Sequence, residues 1–168
     1  PTIKNFIGRN KVKEFTVVAD AAMISSENIT HLNQNEINYI VGARLANLSI
    51  KLLGKIDEQI VRQDGKSIRI KTELGYLICS YSSVRYRKDL YEMNKQIEKA
   101  KQVVEVPSKS RKLKFTKTND QKLELNEELI EKTKKLLGIK GYYTSLEENI
   151  ADNKTIIERY HELYKIEQ

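Results

Sequence analysis

Apolar positions fall along this chain in short groups whose spacing changes from one segment to the next. Residues 15–20, Phe-Thr-Val-Val-Ala-Asp, form a β-branched run closed by a carboxylate. That is the pattern of a buried central strand, with Asp20 at its C-terminal tip. Ser25 and Ser26 are good N-caps for a short helix that turns Ile29 and Leu32 inward and ends near residues 33–35. A second continuous apolar run, Ile37 to Arg44, predicts another buried strand. Strand, helix, strand in that order implies a right-handed crossover with the two strands parallel.

Residues 47–62 place Leu48, Ile50, Leu52, Leu53, Ile56, Ile60 and Val61 near helical spacing, with Gly54 as an interruption and Gly65 as the exit. Residues 67–71 and 76–81 then flank a turn at Glu73-Leu74-Gly75 and predict a β-hairpin. From Arg85 to about Val104 the stripe Leu90, Met93, Ile97, Ala100 marks an amphipathic helix whose polar face is strongly basic. Pro107 and Ser108 end it. Residues 112–116 and 121–125 suggest a small hairpin around Asn119-Asp120, and Asn126 caps a helix over 127–137 that Gly138 terminates. A last strand is expected over 142–146, and Asp152 or Asn153 caps a final helix through Ile156, Ile157, Tyr160, Tyr164 and Glu167.

Composition narrows the class. The 168 residues are 39% hydrophobic and 32% charged with only 2 Pro, which describes a folded domain with room for a sizeable insertion. No apolar run approaches membrane-spanning length. The sequence starts without an initiator Met or a leader pattern and stops inside an expected helix, so both ends read as cut. The single cysteine, Cys79, sits among apolar neighbours as a buried structural thiol and suits a reducing cytoplasm. His31 and His161 lack metal-ligand spacing and read as helix-surface residues. Thirty Lys and Arg against 23 Asp and Glu give a net charge of +7, which favours a polyanionic partner.

A carboxylate at the tip of a central strand is well placed for metal chemistry, because the backbone fixes it while its oxygens face a crevice. Taken alone, Asp20 serves as readily to cap the following turn, and a helical Glu such as Glu167 is usually solvated. Their contexts together say more. The segment Thr16-Val17-Val18-Ala19-Asp20-Ala21-Ala22-Met23, followed by Ser25-Ser26-Glu27-Asn28, resembles the second-Asp motif V-A-D-A/R-G-M-x-S-x-x-N of the DDE transposases of bacterial insertion sequences. Ala22 stands where that motif has Gly, a departure that matters if the position needs positive φ. Tyr39 to Leu45 is similar to the family's next strand, and Ser80 to Asp89 to the basic run that opens its inserted region. Ile157 to Gln168 resembles the closing signature Y-x2-R-x3-E-x6-K, with Tyr160 and Glu167 in register, Leu163 in place of the Arg and the Lys position falling after residue 168.

The resemblance covers nearly the whole chain and implies an α/β, partial ribonuclease-H-like (integrase-like) fold carrying an α+β insertion. Residues 1–46 would form the first part of the core, 47–138 the insertion, and 139–168 the last strand and the Glu-bearing helix. It implies two Mg²⁺ or Mn²⁺ ions about 4 Å apart, held by Asp20, Glu167 and a first Asp that precedes residue 1, with no covalent protein nucleophile. The implied activity is DNA strand cleavage and strand transfer in transposition, incomplete in this fragment. Its partners would be transposon-end and target DNA, and a second copy of the protein in the synaptic complex. Arg44, Arg85, Arg87 and Lys88 are the candidate phosphate contacts, each as readily part of a solvated basic face. The competing expectations are a non-catalytic basic nucleic-acid-binding module and a ribonuclease-H-like nuclease or resolvase.

Overall fold

The computed structural model describes residues 15–22, 25–106, 113–120 and 122–166, with residues 164–166 described by backbone alone. Its described part is mixed α/β. A five-stranded sheet has the order β1-β2-β7-β4-β3, built from β1 (Thr16–Ala19), β2 (Asn38–Ala43), β3 (Ser67–Thr72), β4 (Gly75–Tyr81) and β7 (Ile139–Thr144). A separate two-stranded sheet pairs β5 (Thr116–Asn119) with β6 (Lys122–Leu125). Five helices are described: α1 (Ser26–Gln34), α2 (Ile50–Gln59), α3 (Ser83–Glu105), α4 (Glu127–Lys135) and α5 (Asn153–Ile166).

Each helix begins where the sequence supplies a side-chain oxygen for an otherwise unpaired amide. Ser25 accepts from Asn28 N at 3.2 Å, Ser49 from Leu52 N at 3.3 Å and Ser82 from Arg85 N at 3.3 Å. Asn126 accepts from Leu129 N at 3.1 Å, and Asp152 from Thr155 N at 2.8 Å. Ser49 also explains why the helix expected over 47–62 is shorter. The chain makes a 3₁₀ turn at Leu45–Asn47, leaves helical geometry at Ser49 and restarts at Ile50.

β1 and β2 run parallel, in the register Thr16 to Asn38 and Ala19 to Val41, as the strand, helix, strand order anticipates. β2 pairs antiparallel with β7, Gly42 opposite Tyr142. The last strand starts three residues earlier than the pattern suggested and ends two earlier, because Gly138 adopts φ +78° and turns the chain from α4 straight into β7. Thr144 then closes it. Its hydroxyl donates to Tyr39 O at 2.8 Å and accepts from Leu146 N at 3.1 Å. The strand expected over 112–116 starts only at Thr116, whose hydroxyl holds a turn by donating to Leu113 O and accepting from Leu113 N.

The chain divides into two compact units. Unit 1 comprises residues 1–44, 68–78 and 141–168, and unit 2 residues 45–67 and 79–140. In unit 1, Ile40, Ile78, Tyr142, Leu146, Ile156 and Tyr160 form one core, with α5 packed on β1 and β2. In unit 2, Met93 and Ala100 of α3 pack with Phe115, Ile130 and Leu137. Cys79 is fully buried, and burial pushes its thiol up to about 12, which makes it an inert structural group. No described helix is long and apolar enough to cross a membrane.

Two glycines test this packing. A β-carbon at Gly42 would lie 2.8 Å from Tyr160 Oη and 2.9 Å from the Ala21 amide nitrogen, whereas one at Gly54 would meet nothing within 4 Å. Gly42→Ala is therefore expected to destabilise by about 1–3 kcal/mol. Gly54→Ala, inside α2, is expected to stabilise by about 0.5–1 kcal/mol. Urea unfolding midpoints measure both. The Asp152 cap carries a pH signature of its own. Thr155, through its side chain and then its backbone, holds the Asp152 carboxyl below its ordinary range. A carboxyl lowered by folding contributes stability above its unfolded pKa and loses that contribution as pH falls through the lower folded value. The stability gap between the native chain and Asp152→Ala should thus be largest at neutral pH and shrink on acidification.

Candidate functional site

Asp20 follows directly on Ala19, the last paired residue of β1, so the β1–β2 register brings it level with Gly42. Its Oδ1 accepts a hydrogen bond from Ala22 N at 3.0 Å, an Asx turn at the end of the strand. Ala22 is not among the described residues with positive φ. Alanine in place of the motif's glycine therefore carries no backbone penalty here.

The missing side chain at Gly42 lets three segments converge on this tip. Tyr160 Oη, from α5, and the Ala21 backbone both lie against the glycine. Opposite Gly42 on β7 stands Tyr142, whose ring meets that of Tyr160 edge-on with centroids 4.9 Å apart. His161 adds a second edge, its Nε2 3.5 Å from Tyr142 Oη. Its exposure fits the expected helix-surface position, but its contact with Tyr142 was not anticipated. Tyr142 and Tyr143 are core residues, as strand aromatics usually are.

What aims α5 is the partly buried guanidinium of Arg69 on β3. Nε donates to Asn153 Oδ1 at 3.0 Å, Nη1 to Leu146 O at 3.1 Å and Nη2 to Ala151 O at 2.8 Å. Its carbon also lies 5.2 Å from the Tyr76 ring centroid. All three donating nitrogens thus hold the loop that enters α5, a use of the planar fork that lysine could not copy. The sequence offered little sign of this, since Arg69 looks like one exposed residue of an alternating hairpin strand. Further along α5, Ile156 and Tyr160 are buried and Leu163 half-buried, on the face expected for them. Glu167 lies outside the described residues.

Among the described residues, no group of three or more His, Cys, Asp or Glu could hold a metal ion. Asp20 supplies one hard oxygen donor, the right chemistry for Mg²⁺ or Mn²⁺ but short of a full ligand set. The described residues alone therefore do not make a metal centre.

The candidate phosphate contacts divide between the units. Arg44 is exposed just after β2 in unit 1, whereas Arg85, Arg87 and Lys88 are exposed on the first turns of α3 in unit 2. Arg85 is partly neutralised by Asp89, with Nε 3.4 Å from Oδ2. Ser83, through its hydroxyl and then its amide, holds the Asp64 carboxyl below its ordinary range, and Arg87 adds a smaller charge contribution. The charge balance is uneven. Unit 2 contains 20 Lys and Arg against 12 Asp and Glu, while unit 1 contains 10 against 11. The whole basic excess of the chain thus belongs to unit 2.

No protein-family model, curated protein or solved structure matches the chain.

The two roles open to Asp20 separate by substitution. Asparagine keeps an oxygen for the Ala22 amide but loses the anionic charge, whereas alanine loses both. Asp20→Asn is expected to unfold at the same urea concentration as the native chain, and Asp20→Ala to lose about 0.5–1.5 kcal/mol.

Proposed function

We propose that this chain is part of the catalytic domain of a DNA transposase of the insertion-sequence type, with Asp20 and Glu167 as two of its three metal-binding carboxylates. The observation that carries this is the meeting at the tip of β1. Ala21, directly after Asp20, and Tyr160, which opens the closing motif, pack against the same glycine although they belong to opposite ends of the chain. Glu167 stands seven residues after Tyr160 in the sequence, the spacing that puts two residues on one face of a continuing helix. The ribonuclease-H-like fold belongs to the same proposal, supported by the parallel β1–β2 pair with its connecting helix and by α5 packed on both strands.

Asp20, Glu167 and an acidic residue that the resemblance puts before residue 1 would hold Mg²⁺ or Mn²⁺. Bound there, the ions supply Lewis acidity toward the phosphodiester. The chain's own contribution is positional. The Asx turn fixes Asp20, Gly42 admits Tyr160, and Arg69 orients the helix that leads to Glu167. DNA ends and target would be gripped by basic side chains, Arg44, Arg85, Arg87 and Lys88 among them, with two copies of the protein joining the ends. A cytoplasmic place of action belongs to the same proposal.

One observation favours a second reading, a non-catalytic nucleic-acid-binding module. The hydrogen bond from the Ala22 amide gives Asp20 a turn-capping role that requires no metal. A ribonuclease-H-like nuclease shares the metal chemistry and differs in lacking strand transfer.

The test joins the chain to the segment that precedes it in its reading frame and measures Mn²⁺-dependent nicking and joining of element-end DNA. Asp20→Asn and Glu167→Gln are each expected to lower the rate at least about 100-fold while leaving DNA binding intact, because a lost metal ligand removes several kcal/mol of transition-state stabilisation. Full activity in both variants would overturn the assignment, and nicking without joining would favour the nuclease. In the chain by itself, Mn²⁺ is expected to broaden the Ala21 and Ala22 amide resonances and to stop doing so in Asp20→Asn. Unchanged resonances would leave Asp20 its turn role only.

A further inference from the structure

Helix α3 is amphipathic in an unusual sense. Its inner side is settled, since Met93 and Ala100 are buried with Leu90 and Ile97 against the core of unit 2. Diametrically opposite, Val84, Lys88, Tyr91, Lys95, Lys99 and Gln102 recur at intervals of four, three, four, four and three residues, and every one is exposed. Such intervals hold a single straight stripe on a 3.6-residue helix. Among the described residues, no carboxylate pairs with Lys88, Lys95 or Lys99. Of the nearby acids, Glu98 pairs with Lys101 at 3.1 Å and Asp89 serves Arg85 and the Gly138 amide. Glu92 is exposed on the flank of the stripe, three and four residues from Lys95 and Lys88, and removes one charge from the local basic excess.

In the middle of this stripe Tyr91 is 64% exposed, and Lys95 Nζ lies 5.9 Å from its ring centroid. A lone exposed aromatic needs no explanation. An exposed aromatic between unpaired lysines, on the long helix of the unit that holds the chain's entire basic excess, presents a π-face and phosphate contacts side by side. Single-stranded nucleic acid offers that combination, because its bases have faces to stack and its backbone has charge to neutralise. Duplex DNA offers the charge but keeps its base faces inside the stack. An anionic membrane surface would require a wide apolar face, and this stripe has only Val84 beside Tyr91.

We infer that the outward stripe of α3 binds an unpaired DNA strand, with Tyr91 stacking on a base and Lys88, Lys95 and Lys99 contacting phosphates. The stripe from Lys88 to Lys99 is about 16 Å long, which spans roughly five phosphates at duplex spacing and fewer in an extended strand. This inference rests on the nucleic-acid part of the function proposed above and is independent of the metal chemistry at Asp20.

The experiment measures fluorescence anisotropy of labelled oligothymidylate and of a duplex of equal length with the full 168-residue chain. Tyr91→Ala is expected to weaken oligothymidylate binding at least about fivefold, the loss of one stacked base, and to leave duplex binding within about twofold. Tyr91→Phe, which keeps the ring, should bind as the native chain does. Lys95→Ala and Lys99→Ala should each lower the slope of log affinity against log salt by roughly 0.7. Native affinity in Tyr91→Ala, equal losses on single strand and duplex, or stronger binding to phosphatidylserine vesicles than to oligothymidylate would each overturn the inference. Tyr91→Ala should leave the Mn²⁺ broadening at Ala21 and Ala22 unchanged, so failure of the stripe and failure of the metal assignment are separate results.

Discussion

A side chain at position 42 would have nowhere to go. The β2 backbone there is approached from one direction by the Ala21 amide and from another by the Tyr160 hydroxyl, both within 3 Å of where a β-carbon would stand. Without this gap, the loop after Asp20 and helix α5 could not both reach the end of the sheet. Much of unit 1 serves the same closure. Tyr142 supports the Tyr160 ring from β7, and Arg69 fixes the loop that aims α5. The packing is dense and largely apolar around the half-buried Asp20, whose carboxylate is held in place by the Ala22 amide.

Charge follows a different plan from chemistry. Unit 1 holds the strand-tip carboxylate and is close to neutral in formal charge, while unit 2 holds the entire basic excess. A strongly positive surface attracts DNA without reading its sequence, and its pull weakens steeply with salt. The long helix α3 buries one side in the core of unit 2 and exposes the other, where Lys88, Lys95 and Lys99 stand with Tyr91 and Val84.

The sequence by itself determined most of the secondary structure, because the signals involved are local. The apolar run at 15–20, the serine and asparagine caps and the stripe of Leu90, Met93, Ile97 and Ala100 each depend on residues within a few positions of one another. Asp20 was legible as a strand-tip carboxylate for the same reason. Where local signals competed, boundaries moved. Ser49 divided an expected helix, and the positive φ at Gly138 started β7 three residues early.

Only the tertiary structure decided which residues stand beside Asp20. Gly42 reads in sequence as a small residue in a strand, Arg69 as a surface charge and Tyr160 as one more apolar helix position. Their importance lies in contacts between segments far apart in the chain, which no periodicity encodes. The division of charge between units was equally hidden, since unit 1 is assembled from three separated stretches. Local spacing specifies an element because the backbone has few ways to satisfy its own hydrogen bonds. The neighbours of a carboxylate are set instead by how whole faces of those elements fit together, and that fit exists only once the chain has closed on itself.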